Sequence, residues 1–208
     1  MDLFENNKDA GTNWLPYDGV VLYLGRIMDI EKANSYYKQL YNKIAWRRDE
    51  NIIFGKKITT KRKVAWYGDK TFEYTYSGIT KSALKWIPEL FEVKSMVEDV
   101  SGDTFNSCLL NLYHNGNEGM SWHSDGEKVL KKNGAIASLS FGISRKFLFK
   151  HKKSGEKIEL FLENGSLLLM KDTTQKHWLH RLPTSKKINR PRINLTFRTM
   201  VENVKNGV

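Results

Sequence analysis

The chain has 208 residues, with 34 Lys and Arg against 23 Asp and Glu and a formal charge of +11. A length of this order suits one domain that buries about 70% of its unfolded surface, and aromatics at 12%, six of them Trp, exclude a disordered chain. No apolar run approaches the roughly 20 residues that span a bilayer, and no signal peptide is visible, so a helical membrane protein is excluded; the charge leaves a nucleic-acid partner and a merely solvated basic surface both open.

Residues 1–16 are polar and without periodicity, and read as a loosely held leader; 17–202 read as one domain and 203–208 as a tail. Pro16-Tyr17-Asp18-Gly19 is a turn, and Val20-Val21-Leu22-Tyr23-Leu24 is a buried strand. Asp29 caps a predicted helix in which Ile30, Ala33, Tyr37, Leu40 and Ile44 form a stripe that packs on a sheet. From 47 to 63 the chain turns basic, with Arg47, Arg48, Lys56, Lys57, Lys61, Arg62 and Lys63 around Ile52-Ile53-Phe54-Gly55. Apolar residues at such a loop tip either tuck into the core or form a wedge that enters a base stack while the cations hold phosphates.

Val64-Ala65-Trp66-Tyr67 is a strand and Gly68-Asp69 a turn. Phe72, Tyr74 and Tyr76 share one face of the next strand, a row that serves a core or a pocket for a planar base. Pro88 suits the first turn of a second helix with Leu90, Val93, Val97 and Val100 on one face, ended by Ser101-Gly102. Strands then follow at 107–113, 135–141, 145–151, 157–162, 166–171, 177–182 and 190–200. The fold class is α+β, mainly β: an antiparallel double-sheet sandwich or jelly roll with N-terminal helices on one side. The single Cys108 lies in an apolar run, as a buried thiol of a reducing, intracellular compartment does.

One stretch carries chemistry. Leu109, Asn111 and Tyr113 share a strand face, a Gly/Asn turn follows, and then comes His123-x-Asp125, whose side chains point the same way on extended backbone. A third ligand must come from another histidine. His114 and His151 read as surface residues, which leaves His177 or His180; three apart on a strand, they face opposite sides, so only one joins. Two His and a carboxylate serve non-haem Fe(II) oxygenases, and zinc hydrolases use similar donors. On the last strand, Arg192, Asn194, Thr196 and Arg198 alternate with Ile193, Leu195 and Phe197. If the apolar half packs in the core, two guanidiniums enter the cavity and require anions, which a dicarboxylate cosubstrate supplies.

Asn111-x-Tyr113, His123-x-Asp125, His180 and Arg192-x5-Arg198, in that order from about Leu15 to Met200, resemble the AlkB family of Fe(II)/2-oxoglutarate-dependent dioxygenases, most closely its duplex-DNA repair branch. The resemblance implies a double-stranded β-helix with His123, Asp125 and His180 as iron ligands, which settles His180 against His177. It implies that Asn111, Tyr113, Arg192, Thr196 and Arg198 hold 2-oxoglutarate, Arg192 and Tyr113 at the distal carboxylate. Tyr74, Tyr76 and Glu127 would contact a flipped base, with Gly126 where relatives often carry Asp. Phe54 and Gly55 match an intercalating finger in a nucleotide-recognition segment at about 47–80 that includes Lys56 and Arg62. Lys186 and Lys187 match a loop that grips the opposite strand, with Ser185 where a cation is expected. The implied activity is oxidative demethylation of bases such as 1-methyladenine and 3-methylcytosine in alkylated DNA by a monomer, consuming O2 and 2-oxoglutarate and releasing succinate and formaldehyde. The alternatives are the same chemistry on RNA, tRNA or protein, a zinc hydrolase, and a non-catalytic nucleic-acid-binding module.

Overall fold

In a computed structural model that describes residues 11–53, 56–76 and 79–201, with the backbone alone at 51–53, 56–58, 74–76 and 79–81, strands dominate. In chain order they and the helices are β1 (Val20–Arg26), α1 (Ile30–Lys43), β2 (Arg47–Ile53), β3 (Lys56–Gly68), β4 (Glu73–Tyr76), β5 (Ile79–Ser82), β6 (Leu84–Lys85), α2 (Pro88–Ser101), β7 (Ser107–Tyr113), β8 (Met120–His123), β9 (Ile136–Gly142), β10 (Arg145–His151), β11 (Lys157–Leu162), β12 (Ser166–Lys171), α3 (Thr174–His177), β13 (Trp178–Leu182) and β14 (Arg192–Arg198). The major sheet runs β1-β12-β9-β14-β7-β3-β2, with β6 beside β3; the minor sheet runs β11-β10-β13-β8. Apart from the short parallel β3–β6 pair, neighbours in these sheets are antiparallel. This is the expected jelly-roll sandwich.

Alternation along the strands makes two cores. Cys108, Leu110, Leu112, Ala137, Leu139, Phe141, Ile193, Leu195 and Phe197 leave one face of the major sheet to meet Ala33, Tyr36 and Leu40 of α1 and Leu90, Val93 and Val97 of α2. The opposite face meets the minor sheet through Tyr113, Ile136, Leu168 and Met170 against Phe147, Phe149, Leu160, Trp178 and Leu182. Asp29 caps α1 as expected, its side chain accepting from the Lys32 N–H. Pro88 opens α2, and Gly102 closes it in the left-handed region at φ 69°.

Four expectations need correcting. The leader is not loose throughout: Trp14 and Leu15 are buried in the inter-sheet core, and the Asn13 side chain bonds Leu15, Gly19 and Val21. The α1 stripe buries Tyr36 in preference to Tyr37 and leaves Ile30 exposed, as α2 leaves Val100, because the sheet covers a narrower arc than the sequence pattern allows. The basic segment is no open loop but a long β2–β3 hairpin, whose Phe54 and Gly55 lie outside the described residues. His151 is buried, not at the surface. Among the described residues no helix is long and apolar enough to cross a membrane.

Candidate metal and cosubstrate site

The antiparallel pairing of β8 with β13 sets His123 directly opposite His180, ring centroids 4.2 Å apart. Asp125 follows just past the end of β8, and its backbone N–H donates to Gln175 Oε1 of α3 at 2.9 Å, which fixes the turn. Its Oδ1 then lies 3.6 Å from His123 Nε2 and 3.8 Å from His180 Nε2. Donors about 2.1 Å from one ion and at right angles stand about 3 Å apart, so a small contraction closes this set on a cation.

The protons fit as well. His123 Nδ1 lies 2.8 Å from the Ser121 carbonyl oxygen, an acceptor only, so Nδ1 carries the hydrogen and Nε2 keeps its lone pair for a metal. Burial pushes His180 down to about 4, against the opposing pull of Asp125, and so keeps the ring neutral at pH 7. Its orientation comes from packing: Phe147 stacks on it at 5.6 Å and Phe149 lies at 6.1 Å. Burial alone would raise the Asp125 carboxyl, but Arg198 and the two imidazoles outweigh it and hold it below the ordinary value. A carboxylate held in its ionised form and two imidazoles, the buried one kept neutral, are thus in place, the donor set of non-haem iron and related sites.

A second His/His/Asp group, Asp18, His151 and His177, has similar spacing and different protons. The Ser154 N–H donates to His151 Nδ1 at 3.0 Å, so that nitrogen is an acceptor, and Nε2 lies 3.2 Å from the Asp18 carboxylate. His151 Nδ1 thus gives its lone pair to a backbone amide and not to a cation. Tyr17 packs edge-on against the same ring at 5.0 Å, so this group anchors the N-terminal segment. It also explains His177, which ends α3 and so never shares a strand with His180.

Beside the triad lies a cleft of about 70 Å³, lined by Asn111, Tyr113, Ser138, Arg192, Asn194 and Thr196 among others. Register builds it: Arg192 pairs with Tyr113, Asn194 with Asn111 and Thr196 with Leu109 across β14 and β7. Arg192 is 2% exposed, donates to Ser140 Oγ at 2.9 Å and Asn194 Oδ1 at 2.7 Å, and lies over the Tyr113 ring at 5.7 Å. It has no ion-pair partner among the described residues, and burial pulls it down to about 10. Arg192 Nε, Arg198 Nε and Asn111 Oδ1 are buried without a hydrogen-bond partner. Guanidinium N–H groups buried without an acceptor fit a bound carboxylate.

Arg198 sits at the other end, with Nη1 3.8 Å from Asp125 and 3.5 Å from Glu127. Glu127 lines a wider cleft of about 580 Å³ with Trp66, Leu109, His123, Gly126 and Leu130, next to the triad. A Cβ at Gly126 would meet nothing within 4 Å, so the space at this position is open. Lys186 and Lys187 are exposed on the loop before β14. Arg62 is not: it is buried and bonded to Asp49 and to Met120 Sδ, so its guanidinium faces the protein and not a phosphate. The side chains of Lys56, Tyr74 and Tyr76, like Phe54 and Gly55, lie outside the described residues.

Sequence reasoning missed Ser140, whose hydroxyl oxygen accepts from Arg192, Ser138, whose hydroxyl donates to Asn194 Oδ1, and Gln175, which holds Asp125. The Ser-x-Ser alternation of β9 was a readable signal; Gln175 had none.

Comparison with known proteins agrees with this geometry. The profile described as "2OG-Fe(II) oxygenase superfamily" matches residues 20–198. The Bos taurus and Homo sapiens proteins named "DNA oxidative demethylase ALKBH2" are 44% and 43% identical over 161 and 157 residues, 74% and 72% of this chain. The human "Alpha-ketoglutarate-dependent dioxygenase alkB homolog 3" is 38% identical over 191 residues, 87% of this chain and 66% of its own length. The chain spans about 60% of the ALKBH2 relatives, 58% of the bovine and 60% of the human protein. A solved structure titled "The structure of OsALKBH1" shares the fold at TM-score 0.60 and 15% identity, covering 89% of this chain and 98% of that one. With its profile match and its AlkB-type relatives, the chain belongs to the 2OG-Fe(II) oxygenase superfamily, within the AlkB group.

Proposed function

We propose that the protein is an Fe(II)- and 2-oxoglutarate-dependent dioxygenase that demethylates N-alkylated bases in DNA. The observation that carries this is the pairing of the His123, Asp125, His180 triad with a buried, anion-deficient Arg192 in one inter-sheet cleft. The second feature argues against a zinc hydrolase of uncharged substrates. In this reading the triad holds iron, while Arg192, Tyr113, Asn111, Thr196 and Arg198 hold the cosubstrate. Bound there, iron supplies oxidation of the alkyl carbon by O2, coupled to conversion of 2-oxoglutarate into succinate.

The chain's own groups supply the rest. Arg192 orients the distal carboxylate through its guanidinium edge. Trp66, Leu109 and Leu130 exclude water from the wider cleft, where Glu127 is placed to accept a hydrogen bond from the exocyclic amine of a base. Lys186 and Lys187 grip phosphates, and Phe54 fills the gap that a flipped base leaves. The buried free thiol of Cys108 supports a reducing, intracellular setting. Relatives named DNA oxidative demethylases support DNA as the substrate.

The test is anaerobic reconstitution with Fe(II), followed by 2-oxoglutarate and O2, measuring succinate with duplex DNA, single-stranded DNA or RNA bearing 1-methyladenine. Succinate that rises with methylated duplex, together with loss of the methyl group, is the expected result. Succinate that rises only with RNA would replace the substrate, and none with iron bound would remove the oxygenase reading.

A further inference from the structure

Arg145, the first residue of β10, has no place in the reading above, yet it is among the most deeply buried side chains, 1% exposed. All its hydrogen bonds go to carbonyls: Nη2 to Glu118 O and Pro183 O at 2.9 Å each, and Nη1 to Asn115 O at 3.4 Å. Its guanidinium lies 6.0 Å from the Tyr113 ring, which also carries Arg192 at 5.7 Å. Two buried cations therefore share one phenol ring, and neither has an ion-pair partner among the described residues. The acid that comes near, Glu118, is engaged by His114 at 3.0 Å.

An aliphatic side chain would fill the same volume without the cost of burying charge. What it could not do is fork across two loops. The Asn115 and Glu118 carbonyls belong to the turn that follows Tyr113, and Pro183 begins the loop that carries Lys186 and Lys187. Those loops are also joined by Ser185 N–H to Gly116 O at 2.7 Å and Gly116 N–H to Ile188 O at 2.8 Å.

We propose that Arg145 is a positioning and specificity-determining residue for the dicarboxylate end of the site: its charge, added to that of Arg192 around Tyr113, selects a cosubstrate with a second carboxylate, and its fork ties that end to the Lys186–Lys187 loop. The proposal rests on the dioxygenase reading for the cosubstrate's identity. It places one buried cation at the service of two binding events, cosubstrate in the cleft and polyanion at the rim.

The experiment is calorimetric binding without turnover, with Mn(II) in place of iron. It compares 2-oxoglutarate with 2-oxobutyrate, which lacks the distal carboxylate, in wild type, Arg145→Met and Arg145→Lys. Arg145→Met should weaken 2-oxoglutarate about 10-fold while leaving 2-oxobutyrate within about twofold. Equal losses for both acids, or none for either, would reduce Arg145 to a structural staple and overturn the proposal. If Arg145→Met does not fold, Arg145→Lys decides. It keeps the charge and loses the fork, so retained preference for the dicarboxylate with at least about fivefold weaker duplex binding supports the proposal, and unchanged duplex binding overturns it. Failure of wild type to bind 2-oxoglutarate at all would instead count against the dioxygenase reading.

Discussion

His123 and His151 show why distance alone does not define a metal site. Each sits in a His/His/Asp group, and one hydrogen bond separates them: Nδ1 of His123 faces a carbonyl oxygen, and Nδ1 of His151 faces an amide N–H. Asp125→Ala should therefore abolish Mn(II) binding and lower turnover by more than the roughly 100-fold that loss of an outer-shell partner costs. His151→Ala should leave Mn(II) affinity within twofold while destabilising the fold by about 2 kcal/mol, through lost packing on Tyr17 and Trp178. Metal titration beside thermal unfolding checks both, and a His151 variant with weakened Mn(II) binding would reopen the second cluster. The His-x-Asp pair and the alternating arginines were legible in the sequence because each is a local pattern. Arg145, Gln175 and Trp66 were not, since their roles depend on what another strand or loop brings opposite them.

At the level of elements, strands read better than what joins them. The alternation of β14 and β7 placed Leu109, Asn111, Tyr113, Arg192, Asn194 and Thr196 on the cleft face before any pairing was known. The β2–β3 hairpin escaped because cations fall on both of its faces and mask the period of two. Tight contacts between loops were equally invisible. A Cβ on Gly116 would stand 2.0 Å from Ser185 O, so Gly116→Ala must push the Lys186–Lys187 loop away from the turn after Tyr113. That substitution should cost about 1–3 kcal/mol in thermal stability and weaken duplex binding more than 2-oxoglutarate binding; equal effects on both would detach the loop from nucleic-acid contact. On β1, burial pushes the Tyr23 phenol up to about 12, with Glu163 acting in the same direction at 3.2 Å. The unfolded chain loses that proton near pH 10, while the folded chain keeps it until about 12. Stability thus falls as pH rises between those values. Tyr23→Phe should flatten melting temperature against pH over that window, and an unchanged slope would assign alkaline unfolding elsewhere.

For the molecule as a whole, the question is where the charge of +11 acts. Part of it is neutralised internally, as in Arg62 with Asp49, Lys43 with Glu89 and Lys171 with Asp103. Another part is concentrated where a polyanion would pass. Lys128, Lys131, Lys132 and Lys176 are exposed around a cleft of about 580 Å³ that also reaches Asp125 and Arg198. Acidic groups on that rim are few, Glu127 and Asp172. If a phosphate backbone lies there, each contact releases counterions and adds about 0.9 to the slope of log affinity against log salt. Replacing Lys131 and Lys132 with Ala should lower duplex affinity at about 50 mM salt, make the slope shallower by about two, and shrink the difference from wild type at about 200 mM. The same variant should bind 2-oxoglutarate normally, because the anion site at Arg192 is buried and screened from the rim. Fluorescence anisotropy across that salt range decides it: a parallel slope with unchanged affinity would make the lysines a solvated face and leave the Lys186–Lys187 loop to carry phosphate recognition.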